Sequence, residues 1–190
     1  MPRILLIMAS VRPSRIGDQL AEWIHTQNAV GLDLETVDLR DWPLPMDDEP
    51  NQPKQKGFSG YTQEHTRAWS RKVGSAAGFV FLLPQYNWGY PAALKNALDH
   101  LYAEWQGKPA IIVSYGASGG GRAADQIAEV FQGLQIEPVA TRPALPLKAA
   151  ERTATGRLAD PAAAFADQVA DMQDALVQLG NALATVPAAG

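Results

Sequence analysis

Residues 78–83 read Gly-Phe-Val-Phe-Leu-Leu, a run with no polar side chain. So short and unbroken a run reads as a strand buried on both faces, the kind found in parallel sheets covered by helices on each side. Further strand candidates lie at 3–8, 33–38 and 109–115. A weaker fifth spans 136–142, where Pro138 and Pro143 each remove a ladder donor. Helical spacing fills the intervals. Ile16, Leu20, Trp23 and Ile24 share one face of a helix expected to start near Ser14 or Arg15. A second helix is expected over 61–75. A third starts at Pro91, where a missing N–H costs nothing, and carries Leu94, Ala97, Leu98 and Leu101 inward. Residues 121–133 form a fourth, with Ala124, Ile127, Ala128 and Phe131 inward. Phe165, Val169, Met172, Leu176, Leu179 and Leu183 mark a last helix, and 185–190 read as a frayed tail. This alternation predicts a doubly wound α/β fold: a five-stranded parallel sheet with helices on both faces. Residues 41–60 hold Pro, Asp, Gly and Gln without a period. So long a loop is expected to act as a lid or to be ordered by a partner subunit.

Several function classes drop out on composition. A chain of 190 residues is expected to form one domain over 1–190, burying roughly 70% of its unfolded surface. The net charge of −4 argues against a nucleic-acid surface, so any anion site must be built locally. With no cysteine, disulfides, thiolate metal sites and a cysteine nucleophile are excluded. The apolar run at 3–8 is followed by Arg12 and Arg15 with no small-residue cleavage region, so it reads as a strand rather than a signal peptide. No stretch approaches the ~20 apolar residues of a membrane span. A cytoplasmic location is expected.

Ligands of open parallel sheets bind in the loops leaving the carboxyl ends of strands. The first such loop, Ala9-Ser10-Val11-Arg12-Pro13-Ser14-Arg15-Ile16-Gly17, offers hydroxyls, two arginines and a helix amino end, which suit a phosphate. A plain turn with Ser14 as helix cap is the simpler alternative. The G-x-x-x-x-G-K-[ST] pattern of nucleotide triphosphatases is missing. The second loop, Pro84-Gln85-Tyr86-Asn87-Trp88-Gly89-Tyr90-Pro91, suits a flat aromatic ligand with polar edges, or else covers a sheet edge or an interface. The third, Ser114-Tyr115-Gly116-Ala117-Ser118-Gly119-Gly120-Gly121-Arg122, lets backbone amides approach a ligand closely. It contains G-x-S-x-G around Ser118, but His25, His65 and His100 all precede that serine, against the order of a hydrolase. Gly119 to Ala124 fits G-x-G-x-x-A on the fourth strand, where a dinucleotide fingerprint is not expected. Asp99, His100 and Glu104 read as a solvated helix face ahead of a metal site.

Together the three loops resemble those of the NADPH-dependent FMN reductase family, flavodoxin-like quinone and azo-dye reductases. The matching stretches are Ser10-Val11-Arg12 with Arg15 and Gly17, Pro84-Gln85-Tyr86-Asn87 through Pro91 with Leu94-Lys95-Asn96-Ala97, and Ser114-Tyr115-Gly116 with Gly119-Gly120. The likeness covers most of residues 3–135. Ala9 departs from the family's usual glycine, and its methyl would crowd the phosphate turn. The resemblance implies a flavodoxin-like fold that binds FMN. It places Ser10, Arg12, Arg15 and Ile16 at the phosphate end, and Pro84, Gln85, Tyr86, Asn87 and Trp88 along the ring. Ser114, Tyr115, Gly116 and Gly119 would lie near the pyrimidine end. It gives no metal site and no catalytic acid–base residue, because the flavin carries the chemistry. The implied activity is a two-electron, ping-pong hydride transfer from NADPH or NADH through FMN to a quinone or similar acceptor. The alternative is a flavin-binding electron carrier or redox-sensing interaction protein. A homodimer is expected, or a tetramer built from it. The choice between NADPH and NADH stays open at Arg122.

Overall fold

The computed structural model describes residues 2–55 and 59–185. Strand β1 (Arg3–Met8) leads into helix α1 (Gly17–Gln27) and strand β2 (Asp33–Asp38). Helix α2 (Glu64–Gly74), strand β3 (Gly78–Pro84), helix α3 (Ala92–Asp99), strand β4 (Pro109–Gly116) and helix α4 (Gly121–Leu134) follow. Short strands β5 (Glu137–Pro138) and β6 (Ala144–Pro146) precede helices α5 (Pro161–Ala164) and α6 (Val169–Thr185).

All pairings are parallel, in the order β2-β1-β3-β4-β5, with β6 also on β4. The expected fifth strand is thus two short pieces rather than one run over 136–142. Pro138 and Pro143 supply no N–H, so the chain leaves β4 after Val139 donates to the Ala110 carbonyl. It returns at Ala144, beside Ser114.

Central strands bury both faces, as their composition requires. Leu5, Ile7, Phe79, Phe81 and Ile112 pack with Trp69 and Val73 of α2, Leu94 and Leu98 of α3, and Ile127 and Phe131 of α4. Ile4, Leu6, Val80, Leu82, Ile111 and Val113 pack with Leu20 and Ile24 of α1 and Met172, Leu176 and Leu179 of α6. Each such side chain contributes roughly 1.5–3 kcal/mol by leaving water. Two of the buried indoles keep their hydrogen bonds, Trp69 donating to the Ala97 carbonyl and Trp105 to that of Leu98, whereas the buried Trp23 Nε1 has no partner among the described residues.

Helix α1 begins at Gly17, two residues or more after the expected start, because Pro13 and Ser14 form a turn first. The last helix is shorter than its apolar spacing implies. Phe165 sits between α5 and α6, buried against Trp23 at 5.3 Å between ring centroids. Ala128 is only half-buried. Of the tail expected at 185–190, residues 186–190 lie outside the described residues.

The long loop after β2 is stapled along α2 and α3. Asn96 Nδ2 donates to the carbonyls of Leu44 and Pro45, and His100 Nε2 to that of Pro45. The Glu49 carboxylate accepts from Thr62 N, Thr62 Oγ1 and Gln63 N. His100 is accordingly fully buried and structural, with Thr66 Oγ1 at 3.1 Å from its Nδ1.

Candidate active site

The strand order reverses between β1 and β3, and the carboxyl ends of β1, β3 and β4 open there onto a cleft of about 360 Å³. That is within the ~300–1,000 Å³ typical of small-molecule sites, and a switch point is where open α/β sheets bind ligands. It is lined by Ser10, Arg12, Ser14, Arg15 and Ile16 of the β1 loop, Pro84, Gln85 and Tyr86 after β3, and Tyr115, Gly116 and Ala117 at the end of β4. Leu147 and Arg152 close the remaining side. No described carboxylate lines it.

At the β1 end, buried Ser10 shares a 2.7 Å hydrogen bond with the Tyr86 hydroxyl. The Tyr115 side chain is buried against the same serine, and burial, followed by the nearby Tyr86, pushes its hydroxyl well above the ordinary tyrosine range. It therefore stays protonated as a donor. The two arginines of this loop differ. Arg15 is largely buried, ion-paired to Asp38, and donates to the Ser10 carbonyl at 3.2 Å. Arg12 sits over the Tyr86 ring, its Cζ 3.8 Å from the centroid, and makes no ion pair with any described residue. Ser14 is not a cap: Ile16 occupies that position and makes no side-chain cap bond to the amides of α1.

Tyr86 and Gly89 exchange both backbone hydrogen bonds, at 2.8 and 2.9 Å, across a two-residue turn. Asn87 and Trp88 hold φ of 49° and 72° there, the left-handed region that side chains seldom adopt. The turn tips both side chains off the cleft wall, leaving Trp88 61% exposed. Gln85 Oε1 accepts from the backbone amides of Arg122 and Ala123, at 3.1 and 3.3 Å, so this residue ties the β3 loop to the start of α4. Ser114 turns its buried hydroxyl to the Gly119 carbonyl at 2.7 Å. That bond folds the glycine loop back on β4, and neither Ser114 nor Gly119 lines the cleft.

A family profile described as NADPH-dependent FMN reductase matches residues 2–150. The chain belongs to that family. It is 46% identical over 188 residues to an NAD(P)H-dependent FMN reductase of Schizosaccharomyces pombe, spanning 98% of this chain and 92% of the relative. A Saccharomyces cerevisiae protein of the same description is 42% identical over 147 residues, or 72% of this chain and 77% of that one. Among solved structures, a Paracoccus denitrificans flavoenzyme, an NAD(P)H:(acceptor) oxidoreductase, superposes with a TM-score of 0.71 at 18% identity, covering 95% of this chain and 98% of that one. That likeness bears on the fold. As a member of the FMN reductase family, the chain is an oxidoreductase using FMN and a reduced nicotinamide.

Of the thirteen positions expected from sequence, the cleft gathers Ser10, Arg12, Arg15, Ile16, Pro84, Gln85, Tyr86, Tyr115 and Gly116. Asn87, Trp88, Ser114 and Gly119 lie off it. Leu147 and Arg152 were not legible, because they reach the site only through the pairing of β6 with β4, where Leu147 N donates to the Gly116 carbonyl. The serine of G-x-S-x-G gains no base. His25 is bonded to Thr36, His65 to Asp48, and His100 lies between Thr66 and Pro45. Among the described residues no cluster of His, Asp or Glu is arranged for a metal. No described helix is long and apolar enough to cross a membrane.

Proposed function

We propose that FMN binds in the cleft between the β1, β3 and β4 loops, and that the reduced flavin serves a quinone-type acceptor. One observation carries this: Arg12, without an ionic partner among the described residues, stands beside the amino end of α1, whose cap position Ile16 offers no side-chain acceptor, in a cleft that no described carboxylate lines. Two donor types converge there on a phosphate dianion, and a charge-assisted hydrogen bond of this kind is worth about 1.5–3 kcal/mol. Arg15, neutralised by Asp38, shapes the loop from beneath while Arg12 meets the phosphate. Tyr86, fixed by Ser10 at its hydroxyl, and Gln85, fixed by α4, form a rigid wall for the ring. The amides at 116–117 face the pyrimidine end, where donors stabilise the charge that develops on reduction.

When bound, FMN would supply the redox chemistry, a two-electron exchange with NAD(P)H in one half-reaction and with the acceptor in the other. The protein binds and orients, and no side chain of the cleft has to exchange a proton. Related proteins from Burkholderia and rice are described as a 2-hydroxy-1,4-benzoquinone reductase and a probable NADPH:quinone oxidoreductase, at 28% and 31% identity. These support a small quinone as acceptor. The chain forms one FMN-binding domain over 1–190 and acts as a homodimer in the cytoplasm.

Steady-state kinetics with NADPH and a benzoquinone test the reading. One open site used in turn by donor and acceptor gives parallel lines in double-reciprocal plots. Intersecting lines, or no quinone reduction by the FMN-loaded protein, contradict it.

A further inference from the structure

A second guanidinium is held on the same turn by the same device as Arg12, and the flavin reading leaves it without a task. Arg122 lies over the Trp88 ring, 3.7 Å from its centroid. It forms no ion pair with a described residue, the first turn of α4 has no acid, and nearby Asp125 is paired with Arg142. Stacking engages the face of a guanidinium and leaves its edge N–H groups free, the geometry that matches a phosphate. The position is fixed at both ends. Arg122 N is bonded to Gln85, a cleft residue, and Trp88 belongs to the turn that begins with Tyr86, another cleft residue.

The surroundings say what kind of group would come here. Arg122 stands at the rim rather than in the cleft, so a flavin seated on Arg12 does not need it. Trp88 is held at a φ costly for a side chain and is 61% exposed, although Arg122 covers one face of its ring. A tryptophan kept there at the expense of backbone strain and apolar exposure is explained by a partner that stacks on it. Adenine is flat and stacks on aromatic side chains. NADPH differs from NADH by a phosphate on the adenosine ribose, a dianion that needs a cation which NADH does not.

Resting on the FMN-reductase reading above, we infer that Trp88 and Arg122 form the adenosine 2′-phosphate subsite that makes this chain favour NADPH over NADH. The indole receives the adenine and the guanidinium edge receives the 2′-phosphate. Arg122 is a specificity-determining residue, remote from the hydride transfer itself.

The test compares the FMN-loaded wild type with Arg122→Gln, Arg122→Lys and Trp88→Ala. Two readouts are taken: the NADPH:NADH ratio of kcat/KM, and the calorimetric affinity for 2′,5′-ADP against 5′-AMP. Arg122→Gln lowers the ratio about tenfold and weakens 2′,5′-ADP by a similar factor, with a smaller effect on 5′-AMP. Lysine restores part of the selectivity by charge alone, and Trp88→Ala weakens both nucleotides. An unchanged ratio and an unchanged 2′,5′-ADP affinity in Arg122→Gln overturn the inference. So does a loss confined to FMN affinity, which would seat Arg122 on the flavin. If neither nicotinamide reduces the flavin, the reductase reading itself fails, and the 2′,5′-ADP titration still decides the subsite.

Discussion

Adjacent glycines in the β4–α4 loop should respond in opposite directions to the same methyl group. Gly120 holds φ at +83°, and a Cβ built there would lie 2.9 Å from the Tyr115 carbonyl oxygen, 3.0 Å from its nitrogen and 3.1 Å from Ser114 Cβ. Two of these neighbours are backbone atoms of a central strand and cannot give way. The left-handed conformation costs an alanine about 1–2 kcal/mol, and forcing a methyl into packed surroundings a further ~1–3 kcal/mol. Gly120→Ala should therefore destabilise the fold by about 3 kcal/mol. For a chain of this length that lowers Tm by about 6–12 °C, at roughly 2–4 °C per kcal/mol. Gly121 opens α4 with nothing within 4 Å of its Cβ position. There alanine should be neutral or stabilising by up to about 1 kcal/mol, because it is the better helix former. Thermal and urea melts of the two variants, with and without FMN, make the comparison. A Gly120→Ala melt within about 2 °C of the wild type would refute the claim that this glycine is dictated by packing on β4.

The two phosphate-loop arginines should separate. Arg12→Ala should weaken FMN binding about tenfold or more in a fluorescence titration, with little change in the apoprotein melt. Arg15→Ala should instead cost about 2–3 kcal/mol of apoprotein stability, because Asp38 stays largely buried without its partner. Asn96→Ala frees the Leu44 and Pro45 carbonyls and should lower stability by about 1–2 kcal/mol with FMN affinity unchanged, since the 41–55 stretch does not line the cleft. Burial opposes ionisation of Glu49, but donation from Thr62 and Gln63 outweighs it and holds the carboxyl below its ordinary value of 4.5. A lowered folded value means that this contribution is present above pH 4.5 and is lost as pH falls through that lower value. Melting temperatures should drop less steeply there in Glu49→Gln than in the wild type.

The sheet was legible because its central strands are buried on both faces, and Gly78–Leu83 can satisfy that requirement in few other ways. Nine cleft positions were legible because they cluster in three short loops that the topology brings to one edge. What escaped depends on contacts distant in sequence. Leu147 and Arg152 arrive through β6, where Pro146 and the preceding Pro143 hide a strand from any alternation test. The 41–60 loop read as a lid or a partner-ordered surface because its length was visible and its anchors were not. Asn96 of α3 and His100 at its end hold the Leu44–Pro45 part in place. Ser114 and Gly119 were expected in the cleft but do not line it, because a glycine-rich loop that lines a cleft and one that packs on its own strand have the same composition. The bond from Ser114 Oγ to the Gly119 carbonyl is what turns this loop onto β4.

The proposed activity requires that bound FMN be reducible by a nicotinamide in this protein. Anaerobic mixing of the FMN-loaded chain with NADPH, followed in the flavin's visible absorbance, measures that directly. Loss of the oxidised flavin band within seconds, and its return on adding a quinone, is the predicted result. Flavin that binds yet stays oxidised, or a protein that retains no FMN when supplied with it, would contradict the account.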